Sequence, residues 1–562
     1  MNATLSAQPI PTPPDFSVTW ERAEDALLFW QPDPLHFPEP MHPLEFDCAA
    51  RGFACGFNGA AEANDVPIRA QLRRINSYFF QCFHPPMVPH EELMAMAQRF
   101  EQRAGALMGR LGERWNSEQL PEIQRNLAAM RSFDLQGASL TDLIKHWDRT
   151  VAFVERTWYI HFDLALPMLL AMSMFNDMYA DLFGAENALD AYRLLQGFDN
   201  KSLETDRALW ALSRTARTIP FVREVLTWSA EHEVVPLLEK RADGQAFLRD
   251  LHAFLAEYGR RSDTFAIIGV PSWIEDPTPV IKNLRDYVNR DDYDAMAEMQ
   301  RLAAEREQLI AETRERLHGY PQPVVGQFEF FLKAAQEATV LQEDHNFWLD
   351  QRSLYEVRCV ALEFGRRFAE AGVIGQADDV FYLTIDEVRQ TAETLPWMDR
   401  QQRVAERKAE MDHFRHIMPP AAVGTPPPEA PPDNPLFRAI TRFFGGPIEP
   451  ASEPHMLRGN AGSAGVVRGV AKVVRSLAEA SKLRQGDILV TATTAPPWTP
   501  LFATAAAIVT DAGGILSHCA VIAREYRIPA VVGTGMATTL IRDGQIIEVD
   551  GGAGIVRLVD EL

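Results

Sequence analysis

Between Pro419 and Pro435 the chain places eight prolines in seventeen positions. Each one removes a backbone donor and restrains the residue before it away from the helical region. Neither a regular helix nor a central strand runs through such a stretch, which favours extended, semi-rigid chain, and residues 419–456 are read as a linker. The 562 residues therefore fold on separate cores, as the length alone suggests.

The hydrophobic period differs on the two sides. Upstream, apolar residues recur at three- and four-residue spacings, as in Leu164, Met168, Leu169, Met172 and Phe175, which predicts a large helical domain over 61–418. It is interrupted at Gly259 and at the Pro-rich run Val270–Pro279, and Gly372 is placed to end a helix running from about Gln327. The charge-dense run 286–317 predicts a solvated helix without chemistry. Residues 1–60, rich in Pro and aromatic side chains such as Trp20, Trp30, Pro38 and Pro40, are read as an extended segment laid over another domain. Downstream, Ala464–Val474, Asp487–Val490, Ala507–Thr510, Ala530–Gly533 and Ile546–Val549 are short β-rich runs bounded by glycines. They alternate with helix-compatible stretches at Ala478–Leu483 and His518–Tyr526, which predicts a separate α/β domain over 457–562.

Composition narrows the function classes. A net charge of −22 repels phosphate backbones and anionic lipid surfaces, so neither nucleic acid nor membrane is expected as a partner. The five cysteines are odd in number and scattered, which predicts reduced thiols and no metal site. No uninterrupted apolar run approaches the about 18–20 residues needed to cross a bilayer, and the first residues lack a basic stretch followed by an apolar one; a cytoplasmic location is expected.

One segment carries chemistry. In Thr510-Asp-Ala-Gly-Gly-Ile-Leu-Ser-His518-Cys-Ala-Val-Ile-Ala-Arg524, Gly513 and Gly514 follow a strand and precede a helix, allowing a tight turn and close approach of a ligand to backbone amides. Ser517 is suited to cap that helix, which puts His518 in its first turn, where free N–H groups and the positive end of the helix dipole favour an anion. Arg524 would add a charge-assisted hydrogen bond to a phosphoryl group. Neutral imidazole is a nucleophile near pH 7, and its phosphorylated form passes the group on.

The same segment, with Leu457-Arg-Gly, Gly486-Asp-Ile-Leu-Val490, Ile528-Pro-Ala-Val-Val-Gly533 and Val549-Asp-Gly551, resembles the phosphohistidine swivelling domain of the phosphoenolpyruvate-utilising enzymes. The resemblance implies that His518 carries a phosphoryl group, with Thr510, Ser517 and Arg524 in the catalytic set and Gly513 and Gly514 on the substrate side. Where that family has a second hydroxyl residue before the serine and alanine after the histidine, this chain has Leu516 and Cys519. Trp30 with Asp33-Pro-Leu-His36, Phe254–Arg260 with Trp273-Ile-Glu-Asp-Pro277, Glu343-Asp-His-Asn-Phe-Trp348, and Trp498-Thr-Pro-Leu-Phe502 are similar to the helical acceptor-binding part of rifampin-phosphotransferase-like and phenylphosphate-synthase-like proteins. Neither an ATP-grasp domain nor a pyruvate-binding barrel is found in the sequence. The resemblance thus implies a separate ATP-grasp subunit supplying ATP and Mg2+, with no cofactor bound directly, and as acceptor a phenol-like or other hydroxyl small molecule.

Within the helical domain, His345, Trp348 and Arg352 are spaced i, i+3, i+7 and predict one helix face, with Asp344 beside it. A carboxylate–imidazole pair there suits deprotonation of a hydroxyl; an interhelical polar network explains the same residues. Arg260 and Trp498 complete the expected substrate-binding set, Tyr258 and Arg261 are weaker candidates, and His146, His161 and His232 are read as structural. Two functions stay open. One is a phosphotransferase subunit acting through His518. The other is a phosphate-independent lyase, isomerase or hydrolase on the same scaffold, with His518 or His345 as acid/base.

Overall fold

The structure, a computed structural model, describes residues 8–184, 188–265, 267–290, 295–427, 434–446 and 455–559. It is multidomain, a large mainly helical region followed by a C-terminal α/β region. By its packing the chain divides into two compact units that do not follow the boundaries expected from sequence. The first holds Met1–Pro167, Phe265–Gly269 and Trp348–Asp433, and the second Met168–Thr264, Val270–Phe347 and Asn434–Leu562.

In the first unit a four-stranded antiparallel sheet is ordered Arg69–Ile75, Tyr78–His84, Phe29–Pro32, Val423–Gly424. The hairpin turns through Asn76 and Ser77, both at positive φ, the backbone twist that two-residue hairpin loops require. Phe16, Trp30, Tyr78, Phe80 and Val423 form the core on this sheet. Residues 1–60 are not extended throughout, because Pro43 opens the helix Pro43–Ala63 at a first-turn position where its missing N–H costs nothing. A Cβ at Gly52 would stand 2.1 Å from the Trp158 ring, so the close approach of that helix to the long helix Leu140–Phe183 depends on glycine. Leu140–Phe183 is long and apolar enough to cross a membrane by length and composition, but 72% of its most apolar window is buried inside the protein.

The second unit packs the helices Lys201–Thr218, Pro220–Trp228, Glu231–Leu238, Ala242–Tyr258 and Thr278–Val288 around Leu209, Val222, Leu226, Phe247, Leu251 and Leu284. Gln322–His345 also belongs to this unit. Its C-terminal part is an eight-stranded sheet ordered Met456–Arg458, Ile555–Leu558, Ile546–Asp550, Val466–Val473, Ile488–Thr491, Ala507–Thr510, Ala530–Val532, Asn460–Ser463. The four strands from Val466–Val473 to Ala530–Val532 run parallel, and the outer pairings are antiparallel. One face buries Leu489, Ile508, Ala520 and Ile522, the other Ile488, Val490, Val509 and Val549. Burial on both faces explains why these strands read as continuous apolar runs.

The expected linker is partly ordered. Pro435–Phe444 is a helix capped by Asn434, whose side chain accepts from the Phe437 N–H, so local capping prevails over the proline-rich composition. The parts of the linker at 428–433 and 447–454 lie outside the described residues.

Candidate functional site

The histidine loop leaves the carboxyl end of the parallel strand Ala507–Thr510. Gly513 sits at φ +109°, and a Cβ on Gly514 would lie 2.2 Å from the Arg442 carbonyl oxygen. The end of the helix Pro435–Phe444 is seated here. The Gly514 N–H donates to the Phe443 carbonyl at 2.8 Å and the Leu516 N–H to the Arg442 carbonyl at 2.9 Å. The paired glycines thus serve a close approach, but of protein backbone, and the Gly514 amide expected to face a ligand is already used. Thr510 likewise closes the turn: its hydroxyl donates to the Ala512 carbonyl, and its carbonyl accepts from the Thr534 hydroxyl.

His518 is the first residue of the helix His518–Glu525, with Ser517 at the cap position in extended conformation. Ser517 makes no side-chain cap bond, and its buried hydroxyl has no hydrogen-bond partner among the described residues. His518 itself is not openly accessible, since its side chain is 11% exposed and stands edge-on to Phe502. Its Nδ1 lies 3.1 Å from Oε1 of Glu343, whose Oε2 accepts from the Ser202 hydroxyl at 2.6 Å. The Nε2 of His518 is buried without a partner among the described residues. Next to Glu343, the Gln342 amide donates to the Leu516 carbonyl at 3.0 Å. Burial alone would raise the Glu343 carboxyl; the charge and hydrogen bond of His518, the Ser202 hydroxyl and the charge of His345 outweigh it and hold the group below its ordinary value. Burial pushes the neighbouring Cys519 thiol up to about 12, which leaves it inert.

Arg524 does not face His518. Six residues advance about 600° around a helix, and its guanidinium donates instead to the carbonyls of Gly462 and Ile515 while lying over the Tyr192 ring. It braces the loop. The expected face on His345, Trp348 and Arg352 does not form as read, because the regular helix ends at His345 and a π-helical turn, Asn346–Gln351, follows. That turn breaks the spacing of 3.6 residues on which the reading depended. His345 donates through Nδ1 to the Leu341 carbonyl of its own helix. In the first unit, Arg352 stacks over Trp348 at 4.6 Å. Asp344 accepts from the Lys201 N–H at 2.8 Å, anchoring the start of the helix Lys201–Thr218, and burial pushes its carboxyl up to about 6. Arg260 donates to the Ala256 carbonyl in the preceding turn, and the Trp498 indole donates to the Asp263 carbonyl.

Ser202 and Gln342 escaped the sequence reading. Ser202 is the second residue of a helix capped by Asn200, and nothing local distinguishes it from an ordinary early-helix serine. Glu343 adjoins Asp344 and His345 in the sequence, and it is Glu343 that meets the loop at His518.

A family model for the rifampicin phosphotransferase fourth domain matches residues 161–343, and one for the mobile domain of phosphoenolpyruvate-utilising enzymes matches 483–554. Glu343 falls within the first and His518 within the second. A protein named chondramide synthase, from Chondromyces crocatus, is 41% identical over 570 residues, covering 100% of this chain and 14% of that protein. An uncharacterized phosphotransferase of Bacillus subtilis, YvkC, is 34% identical over 418 residues, covering 74% of this chain and 49% of its own length. A rifampicin phosphotransferase of Streptomyces sviceus is 29% identical over 433 residues, covering 76% and 46%. The chain spans less than half the length of each of these three. The swivelling-domain likeness read from the histidine loop and the helical likeness read around Glu343 thus converge from independent stretches, and over both stretches the chain matches the phosphoenolpyruvate-utilising enzyme family, in its rifampicin-phosphotransferase-like branch.

Proposed function

We propose that the chain transfers a phosphoryl group to a hydroxyl of a small molecule, with His518 as the carrier. The observation that supports this is the state of the imidazole: one nitrogen is engaged by a buried carboxylate, and the other has no partner among the described residues. A neutral imidazole so held keeps a nucleophilic lone pair available for a phosphoryl group. The phosphoryl group comes from an ATP-grasp subunit with its ATP and Mg2+, and the acceptor is a phenol. Rifampicin phosphotransferases among the relatives support, by their names, phosphoryl transfer to a small molecule.

Potassium phosphoramidate, a small phosphoryl donor, tests the carrier without the partner. The native chain should gain one acid-labile, base-stable phosphoryl group, seen by 31P NMR, that His518→Ala lacks, and phenol should then be converted to phenyl phosphate. Labelling that persists in His518→Ala would overturn the assignment to His518. An unlabelled native chain would favour the phosphate-independent acid/base chemistry instead, and a loaded chain that spares phenol would remove the phenolic acceptor alone.

A further inference from the structure

The contact between Glu343 and His518 says more than that the two are close. Glu343 is 2% exposed, and its two oxygens face different groups: Oε2 takes the Ser202 hydroxyl at 2.6 Å, Oε1 faces Nδ1 of His518 at 3.1 Å. An ionised carboxylate can only accept. The hydrogen on the Oε1 side must therefore sit on Nδ1, and in neutral imidazole the lone pair then lies on Nε2. The other polar residues of this helix end are committed elsewhere, Asp344 to the Lys201 N–H and His345 to the Leu341 carbonyl. Glu343 is thus the side chain of that run placed to choose the tautomer.

Building on the carrier reading above, we propose that Glu343, held by Ser202, is the positioning residue that keeps the proton on Nδ1 of His518, so that Nε2 carries the phosphoryl group and the imidazole departs neutral. In delivery the acceptor oxygen forms a bond to phosphorus, the P–Nε2 bond breaks, and its electron pair returns to Nε2. The acceptor's hydroxyl proton passes to solvent, and Nδ1 keeps its proton throughout. With that proton lost, the leaving group would be imidazolate, a far stronger base and a far poorer leaving group. The carboxylate acts through the histidine and need not touch the acceptor, as with the orienting carboxylate of a nucleophile–base–orienter arrangement.

The test reads the tautomer directly. In protein labelled with 15N-histidine, with His518→Ala to assign the signal, native His518 should be protonated on Nδ1. In Glu343→Gln the Ser202 hydroxyl holds the amide oxygen, the amide NH2 faces Nδ1, and the proton should move to Nε2. Ser202→Ala, a milder change that spares the carboxylate, should give a mixture. With protein loaded by phosphoramidate, transfer to phenol should fall on the order of 10²-fold in Glu343→Gln. An Nε2-protonated native histidine, or the same tautomer in native and Glu343→Gln proteins, would overturn the positioning role even if His518 takes up phosphate. A tautomer that shifts as described in a chain that never takes up phosphate would instead sink the carrier reading while leaving Glu343 as the group that sets the tautomer.

Discussion

The C-terminal domain holds itself together in one way and meets its helical neighbours in another. Its interior is aliphatic: Ile488, Leu489, Val490, Ile508 and Val509 are fully buried on the two faces of the sheet. Where it contacts the helices of its own unit, polar pairs recur beside apolar contacts such as Leu516 and Val521 near Met172 and Leu195. Glu343 meets His518, Gln342 the Leu516 carbonyl, Gln196 the Arg524 carbonyl, the Gly197 N–H the Glu525 carboxylate, and Asp206 the Tyr526 hydroxyl. Ala503 and Tyr526 are the members of this domain that touch the helical core. Apolar burial is gained once and costs its full transfer energy to undo, whereas most of a polar seam can be exchanged for water at a small net cost per bond. Separation of such a domain from its neighbour without unfolding is what the predictions below test.

The largest effect expected is chemical. His518→Ala should lose all phosphoryl uptake while thermal unfolding stays near that of the native chain, because only a seam residue has changed. A collapse of folding in that variant would erase the distinction between seam and core. Next, Leu489→Ala should lower stability by about 2–5 kcal/mol, measured by denaturant titration. Gln342→Ala or Tyr526→Phe should leave global unfolding within about 1 kcal/mol of native and instead broaden the distances between spin labels on the helices and on the sheet domain.

A smaller effect is tied to pH. Burial pushes the Glu525 carboxyl from 4.5 up to about 7, against the Gly197 N–H and the charges of Arg524 and Arg306. Because the docked state binds the proton more tightly than the exposed one, its favourable contribution is complete below about pH 4.5 and is lost as pH rises through about 7. Docking measured by label distances should therefore loosen between those values, and Glu525→Gln should flatten the profile there. Glu343, held below its ordinary value, acts oppositely and only in the acid range, so the two windows separate. A flat native profile between pH 4.5 and 7 would remove Glu525 from the seam's energetics.

Much of the C-terminal domain was legible because its strands follow from local residues. β-Branched runs ended by glycine map onto Val466–Val473, Ile488–Thr491, Ala507–Thr510, Ala530–Val532 and Ile546–Asp550. The hairpin Arg69–His84 is harder to see although Asn76-Ser77 marks its turn, because its strands mix arginine with apolar residues and half-mask the alternation. The helix Pro435–Phe444 is hidden in the composition because proline, a breaker inside a helix, is a starter directly after an asparagine cap.

At the candidate site the division is sharper. The amino-acid sequence by itself determined that a helix begins at His518 after a glycine turn, because φ preferences and helix starts are decided by neighbours in the chain. It could not determine that Ser517 leaves its cap unmade, that Arg524 turns to the carbonyls of Gly462 and Ile515, or that Glu343, 175 residues away, takes Nδ1 of His518. Those choices belong to the tertiary structure. A buried polar group must find a partner wherever packing brings one within reach, and that position is set by the cores on either side of the seam and not by the residue's own neighbours.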